Sequence, residues 1–370
     1  MNPYVPHTLP LEDLNWKRFR RLIGPANAEL ARYDGILLAM INPSVLLSPL
    51  TTQEAVLSSR IEGTRATLQE VLEFECSKGR KLEDNQDIHE IINYRQAMGD
   101  AVQSLHERPI CLNLLRDIHS KLMDSVRGQN RARGEFRRIQ NFIGRPGATI
   151  ENATYIPPDP SHVMDHLSNL EKYIHYDEDD KLVQLAVIHA QFEIIHPFLD
   201  GNGRVGRILI PLFLFEKKLV SSPMFYMSAY LENHRDEYYA RLLAITKEND
   251  WEGWIEYFLQ AIVEQAKINT EKARAILDLY EQKKEKIAKL TASKYSIQVV
   301  DALFDRPIFQ TSDFIERSKI PARTAKRLLR ILLDGQILYL LQEKSGSISA
   351  TWMFRKLFAI AEGLSDQINE

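Results

Sequence analysis

The sequence predicts a mainly α-helical protein with one β-hairpin inside its helical part and a small domain of three helices plus a hairpin towards residue 370. Three observations predict it. Apolar residues recur at three- and four-residue spacing from about Pro25 to about residue 290. That rhythm breaks over 136–158, where β-branched and aromatic residues flank Gly144-Arg145-Pro146-Gly147. Residues 295–355 then change to short helical patterns, followed by two apolar runs on either side of Glu343-Lys344-Ser345-Gly346.

Taken in order, residues 1–20 read as extended, because prolines at 3, 6 and 10 deny regular helix. Helical patterns follow at 26–40, 52–75, 86–105, 112–124, 161–175, 181–195, 203–218, 235–247 and 251–289. The hairpin has no sheet to join, so its edge is open to pairing with another chain. Residues 271–292 are dense in Lys, Glu and Ala and read as a long solvated linker helix. Beyond it, 296–305, 311–318 and 321–333 read as helices, and 337–341 with 350–354 as strands. Three helices followed by a hairpin is the winged-helix arrangement. The chain is thus expected to divide into an N-terminal region 1–110, a helical core 111–270, the linker 271–292 and a winged-helix domain 293–370.

Composition narrows the function classes. With 44% hydrophobic and 26% charged residues the chain is ordinary for a soluble globular protein. Its 47 basic and 50 acidic residues give a net charge of −3, so a polyanion could be bound only at a local patch. Cys76 and Cys111 stand far apart with no His cluster beside them, which fits no zinc module; both read as reduced core residues. No run of eighteen uninterrupted apolar residues occurs, so no membrane-spanning helix and no membrane partner are expected. Residues 1–10 hold no apolar run of the signal-peptide kind, and a cytoplasmic location is expected.

The most informative stretch runs His196-Pro-Phe-Leu-Asp200-Gly-Asn-Gly203-Arg204-Val-Gly-Arg207. It follows an amphipathic helical pattern at 182–195 and opens an apolar one at 208–215. Gly201 and Gly203 permit backbone angles that side chains forbid, and the second helix begins with exposed N–H groups at its positive dipole end, an anion site. Adjacent Gly-Asn-Gly amides can form a nest for phosphate oxygens. Arg204 and Arg207 lie three apart on one helix face, as two guanidinium groups for a polyphosphate would. Asp200 would repel a phosphate unless a divalent cation lay between them, which makes it a candidate Mg²⁺ ligand. His196 is left for proton transfer. A Gly-rich turn between helices, with its arginines paired to surface acids, would be the plainer reading. Convergence of all these groups within one short segment disfavours it.

That segment matches the Fic motif HPFxDGNGRxxR at every specified position, and the chain resembles Fic proteins. The resemblance implies a protein adenylyltransferase with ATP as substrate and Mg²⁺ as cofactor. In that reading His196 is the general base for a Tyr, Ser or Thr hydroxyl, and Asp200 holds Mg²⁺ on the α- and β-phosphates. Gly201, Asn202 and Gly203 cradle phosphate oxygens, Arg204 supports the transition state, and Arg207 binds the γ-phosphate. Ser58-Ser-Arg-Ile-Glu62-Gly63 resembles the family's inhibitory motif [S/T]xxxE[G/N], so Glu62 would pair with Arg207 in the γ-phosphate's place. The hairpin at 138–157 falls where the family has the flap that docks a protein substrate. Tyr239, in a Tyr238-Tyr239 pair, would stack on adenine; Thr246 stands about where relatives often carry an Asn.

Self-modification is expected, and a homo-oligomer is compatible with the sequence. The 321–333 helix carries Arg323, Lys326, Arg327 and Arg330, which could meet DNA, although the same charges would serve as the solvated side of a packed helix. Two other functions remain open at this point. One is a DNA-binding regulator whose Fic domain senses nucleotide; the other is a de-AMPylating enzyme in which Glu62 aligns water.

Overall fold

The computed structural model describes residues 2–77, 85–124, 132–145, 147–345 and 349–364. Pro146 and Gly346, named above in the two loops, lie outside them. Among the described residues the helices are α1 (Trp16–Ala39), α2 (Pro43–Leu46), α3 (Ser48–Ile61), α4 (Leu68–Ser77), α5 (Gln86–Ser104), α6 (Leu112–Leu122), α7 (Val163–Ile174) and α8 (Lys181–Ile195). They continue as α9 (Asn202–Glu216), α10 (Ser228–Asn233), α11 (Arg235–Glu248), α12 (Trp251–Thr291), α13 (Ser296–Asp305), α14 (Thr311–Ser318), α15 (Ala322–Asp334) and α16 (Arg355–Glu362). Three short strands, β1 (Ile308–Gln310), β2 (Tyr339–Gln342) and β3 (Thr351–Met353), and two 3₁₀ turns, Ile150–Asn152 and Pro160–His162, accompany them. None of these helices is long and apolar enough to cross a membrane.

By compactness the chain forms two units. The first holds Met1–Asp34, Leu57–Thr64 and Ile92–Lys267; the second holds Gly35–Val56, Arg65–Ile91 and Ile268–Glu370.

The first unit is built around α8, with α7 and α9 packed on it. α8 differs from the amphipathic helix that was expected: nearly every residue is buried, polar ones included. The burial is tolerated because the polar side chains are paired inside. Gln184 Nε2 donates to the carbonyls of Tyr173 at 2.7 Å and Tyr176 at 2.9 Å, and Gln191 Nε2 donates to that of His7 at 2.7 Å. His7 belongs to the extended N-terminal segment, which is also tied down by Leu9 N–H donating to Asn169 Oδ1 at 2.8 Å.

α1 starts earlier than its periodicity suggested and runs through Pro25. Phe19, Ala26, Leu30, Tyr33 and Leu37 are all buried on one face, so burial on both sides of the proline offsets the hydrogen bond it cannot make. The pattern read as one helix at 52–75 is two, α3 and α4, because Gly63 turns to φ +104° just after α3 ends.

The expected hairpin over 136–158 is not a regular one. Among the described residues it is an irregular loop closed by a single antiparallel bridge, Ile143 with Tyr155. Ile143 N–H donates to Tyr155 O at 2.9 Å, and Thr154 N–H to Ile143 O at 2.8 Å. Pairing stops there because Pro157 and Pro158 have no N–H to give. The neighbouring carbonyl of Ile156 instead accepts from Tyr4 N–H at 3.0 Å.

In the second unit α13, α14 and α15 pack together with an antiparallel sheet of order β1-β3-β2. The register pairs Phe309 with Trp352 and Leu340 with Trp352. Phe304, Phe309, Phe314, Leu328, Leu329 and Phe354 form the core. Strand β1 was not anticipated; three residues are too few to display a period-2 pattern. α4 lies against β1, and α2 against α13. Both cysteines are free; Cys76 is buried as expected, but Cys111 is half-buried, at the N-cap of α6 where the helix first turn meets solvent.

Candidate active site

The turn between α8 and α9 is fixed from within. His196 caps α8 in the left-handed conformation (φ 48°), an arrangement a histidine adopts only where its surroundings hold it. Those surroundings are supplied by Arg137. Its side chain is buried, with Nε donating to His196 O at 2.9 Å and Nη2 donating to Pro158 O at 2.6 Å and Ile195 O at 3.3 Å. Its own N–H donates to Pro197 O at 2.8 Å. Burial lowers the Arg137 pKa to about 10, yet the group keeps its charge at neutral pH.

Past the histidine, Asn202 turns its side chain back into the loop. Phe198 N–H donates to Asn202 Oδ1 at 2.8 Å, and Asn202 Nδ2 donates to Phe198 O at 2.9 Å. The Asn202 side chain is therefore used within the turn, which leaves its backbone amide for the role the sequence suggests. His119, on α6, stacks on Phe198 with centroids 3.8 Å apart. Gly134 N–H donates to its Nδ1 at 2.9 Å, so Nε2 carries the proton and donates to Asp200 O at 3.1 Å. Burial pushes the His119 pKa down to about 4, which keeps this prop neutral.

The catalytic candidate His196 is half-buried. Its Nδ1 lies 3.3 Å from Glu193 O, a group that can only accept, so Nδ1 bears the proton and Nε2 presents its lone pair. Burial lowers its pKa to about 4, against the pull of that hydrogen bond and of Glu62.

Arg204 and Arg207 do not form one clamp. Arg204 points to Asp200 Oδ1, at 3.9 Å, and to Met123 Sδ, at 3.9 Å. Arg207 reaches the end of α3: Nε donates to Ser58 Oγ at 2.8 Å, and Nη2 to Ser58 O at 3.0 Å and to Glu62 Oε1 at 2.6 Å. Its side chain is 1% exposed. Burial works against ionisation of both partners, but the Arg207 guanidinium holds the Glu62 carboxyl below the usual range, and Glu62 raises the Arg207 pKa in turn. The Glu62 carboxylate also presses on the first turn of α9. A Cβ placed on Gly203 would fall 2.2 Å from Glu62 Oε1, so only glycine leaves room for an anion here.

These groups open on a cavity of about 770 Å³, lined among others by Glu62, Glu193, His196, Arg207, Tyr238 and Tyr239. Tyr238 is buried and donates to His189 Nε2 at 2.9 Å, while His189 Nδ1 donates to Gly206 O at 3.1 Å. Tyr239 is 41% exposed, with the Arg235 guanidinium 5.8 Å from its ring. Thr246 also lines the cavity and donates to Leu243 O at 3.0 Å.

Sequence reasoning missed Glu193, His119 and Arg137. The first had a signal, a lone acid in an apolar helix. Burial pushes the Glu193 carboxyl up to about 8, and Oε1 is buried without a hydrogen-bond partner. Nothing in the sequence separates Arg137, buried, from Arg138, with a side chain 88% exposed.

Residues 20–103 match the Fic/DOC family N-terminal domain and residues 109–214 the Fic/DOC family domain, together about half of the chain. A probable protein adenylyltransferase of Aquifex aeolicus is 29% identical over 182 residues, which cover 47% of this chain and 51% of the relative. The protein adenylyltransferase Fic of Drosophila grimshawi is 28% identical over 165 residues, 42% of this chain and 31% of the relative. The chain thus spans about half the length, or less, of these curated relatives. Among solved structures, a Fic family protein of Desulfovibrio desulfuricans G20 superposes with a TM-score of 0.59 at 18% identity, over 96% of this chain and 98% of that one. A Fic domain-containing signaling protein of Bacteroides thetaiotaomicron gives 0.53 at 15% identity, over 68% and 97%. At such identities the likeness is one of fold. Two adjoining domain matches and a complete motif on the α8–α9 turn place the chain in the Fic/DOC family.

Proposed function

We propose that the chain is a protein adenylyltransferase that moves AMP from ATP to a Tyr, Ser or Thr hydroxyl of a protein, itself included, and that Glu62 restrains it. The observation that carries this reading is Arg207, a buried guanidinium beside the first turn of α9 whose anion position is filled by the chain's own carboxylate. A buried arginine held ready for an anion, next to a histidine with its Nε2 lone pair presented, suits transfer of a phosphoryl group. The relatives named protein adenylyltransferase support that chemistry at family level.

In this mechanism ATP displaces Glu62 and its γ-phosphate pairs with Arg207. Backbone amides at Asn202 and Gly203 meet phosphate oxygens, joined by that of Gly201 once it leaves Asp200 Oδ1, to which it donates at 2.7 Å, and the Tyr239 ring packs on adenine. His196 Nε2 takes the proton of the target hydroxyl. The oxygen bonds to the α-phosphorus in line as the bond to the bridging oxygen of pyrophosphate breaks, and Arg204 offsets the charge that develops. The negative polyphosphate raises the His196 pKa from its low resting value, making it a stronger base when substrate is present. Asp200, its side chain 38% exposed in the turn before α9, fits as a Mg²⁺ ligand. Among the described residues no cluster of three or more His, Cys, Asp or Glu could hold a metal alone; one carboxylate plus substrate phosphates is a usual Mg²⁺ shell. Mg²⁺ there would neutralise phosphate charge.

The 138–157 segment is the proposed docking site for the protein substrate. It presents Ile139, Phe142, Ile143 and Ile150, each at least 38% exposed. The test is intact mass of the Glu62→Gly chain after incubation with ATP and Mg²⁺. Addition of AMP, absent from the Glu62→Gly/His196→Ala chain, is the expected result, with a loss at His196 of about 10²-fold or more. An unchanged mass in both would contradict the proposal.

A further inference from the structure

The second unit carries a surface that adenylyl transfer does not use. α14 ends at Ser318 and α15 begins at Ala322, so three residues join two packed helices. That is the spacing of a helix-turn-helix. The buried side of α15 is Ala325, Leu328, Leu329 and Leu332. Arg323, Lys326, Arg327 and Arg330 repeat the same three- and four-residue spacing on the opposite side, all exposed.

The distribution of acids separates this face from an ordinary solvated helix. Over residues 293–364 there are eleven Lys and Arg against seven Asp and Glu. Among the described residues Asp305 and Asp313 both pair with Arg317, and Asp313 also pairs with Arg306. None of the four cations on α15 has a carboxylate partner among the described residues. Among the described residues α4 packs on β1 and α2 on α13, while the four cations of α15 stay exposed.

We propose that α15 binds duplex DNA in the major groove through Arg323, Lys326, Arg327 and Arg330. Seven residues at about 1.5 Å rise place the outermost of these charges about 10 Å apart, within a groove about 12 Å wide. Four free cations with no acid among them match a phosphate-lined groove. This holds independently of the transfer reaction.

The test is fluorescence anisotropy of the full chain with a labelled duplex of mixed sequence. Binding that weakens about 100-fold between about 50 and about 200 mM salt is expected, as four phosphate contacts require. Arg327→Glu/Arg330→Glu should lower affinity about tenfold or more and flatten that salt dependence by about half. The milder Arg327→Gln/Arg330→Gln, checked for an unchanged melting temperature, should fall between. Lys284→Ala/Lys286→Ala on α12 should bind as the parent chain does. Absence of binding at low salt would overturn the proposal, as would binding indifferent to the α15 variants. So would a change in sedimenting mass in those variants with DNA binding unaltered, which would assign the face to a second copy of the chain.

Discussion

The His196–Arg207 turn and the 138–157 loop face one cavity and are built in opposite ways. The turn is fixed by groups that reach it from outside its own sequence: Arg137 on the carbonyls of Ile195 and His196, His119 on that of Asp200, and Ser58 with Glu62 on Arg207. Among the described residues the loop has one backbone bridge of its own and is anchored at a few points, Asn141 Nδ2 on Phe198 O and Tyr155 Oη on Ile194 O, while Ile139, Phe142, Ile143 and Ile150 face solvent. A site that positions phosphates benefits from donors fixed in advance. A surface that must accept a segment of another chain needs open backbone groups instead. Rigidity and openness are thus divided between two segments that line the same cavity.

The contrast can be broken at its most heavily used prop. Arg137→Ala removes the side-chain donor from four carbonyls, those of Ile139, Pro158, Ile195 and His196, and should destabilise the chain by about 2–4 kcal/mol, read by urea unfolding. Arg137→Lys, which keeps the charge but not the fork, should fall between.

A second, smaller effect concerns Glu193. Its carboxyl rises from an ordinary 4.5 to about 8 in the folded chain, chiefly through burial. Between those two values the folded chain holds a proton that the unfolded chain releases, so stability should fall as pH rises through that window. Glu193→Gln should remove this slope and stabilise the chain at neutral pH, on the order of 1–3 kcal/mol. A pH series of melting temperatures checks it; parallel curves for both chains would remove the protonated carboxyl from the site.

The smallest effect on stability should come from the loop. Ile143→Pro deletes the N–H that donates to Tyr155 O and should cost about 1 kcal/mol or less. Modification of other proteins should nevertheless fall while ATP binding holds, because the loop is the proposed docking edge. Loss of ATP binding as well would sharpen the contrast differently, making the loop part of the nucleotide site.

The legibility of each region in the sequence follows from how it is stabilised. α8 has both of its ends where periodicity put them, since Asp180 caps its start and Pro197 follows its end. The α8–α9 turn was readable because its glycines, arginines and carboxylate stand together in sequence. Its props were not, because Arg137 and His119 act through tertiary contacts that no local spacing records. The loop was misread as a hairpin for the converse reason: its strand-forming residues are local, and the prolines that end the pairing outweigh them. β1 exists only through its pairing with β3.

The central claim, that Glu62 holds the position on Arg207 which ATP must take, is tested most directly by calorimetric titration of ATP into the parent chain and into Glu62→Gly. If the ion pair must open first, removing Glu62 should tighten ATP binding about tenfold or more, since apparent affinity scales with the fraction of chains whose site is open. The added Arg207→Ala change should abolish the gain. Equal affinity in the parent and Glu62→Gly chains would mean that the carboxylate and the nucleotide do not compete, and the restraint assigned to Glu62 would be wrong.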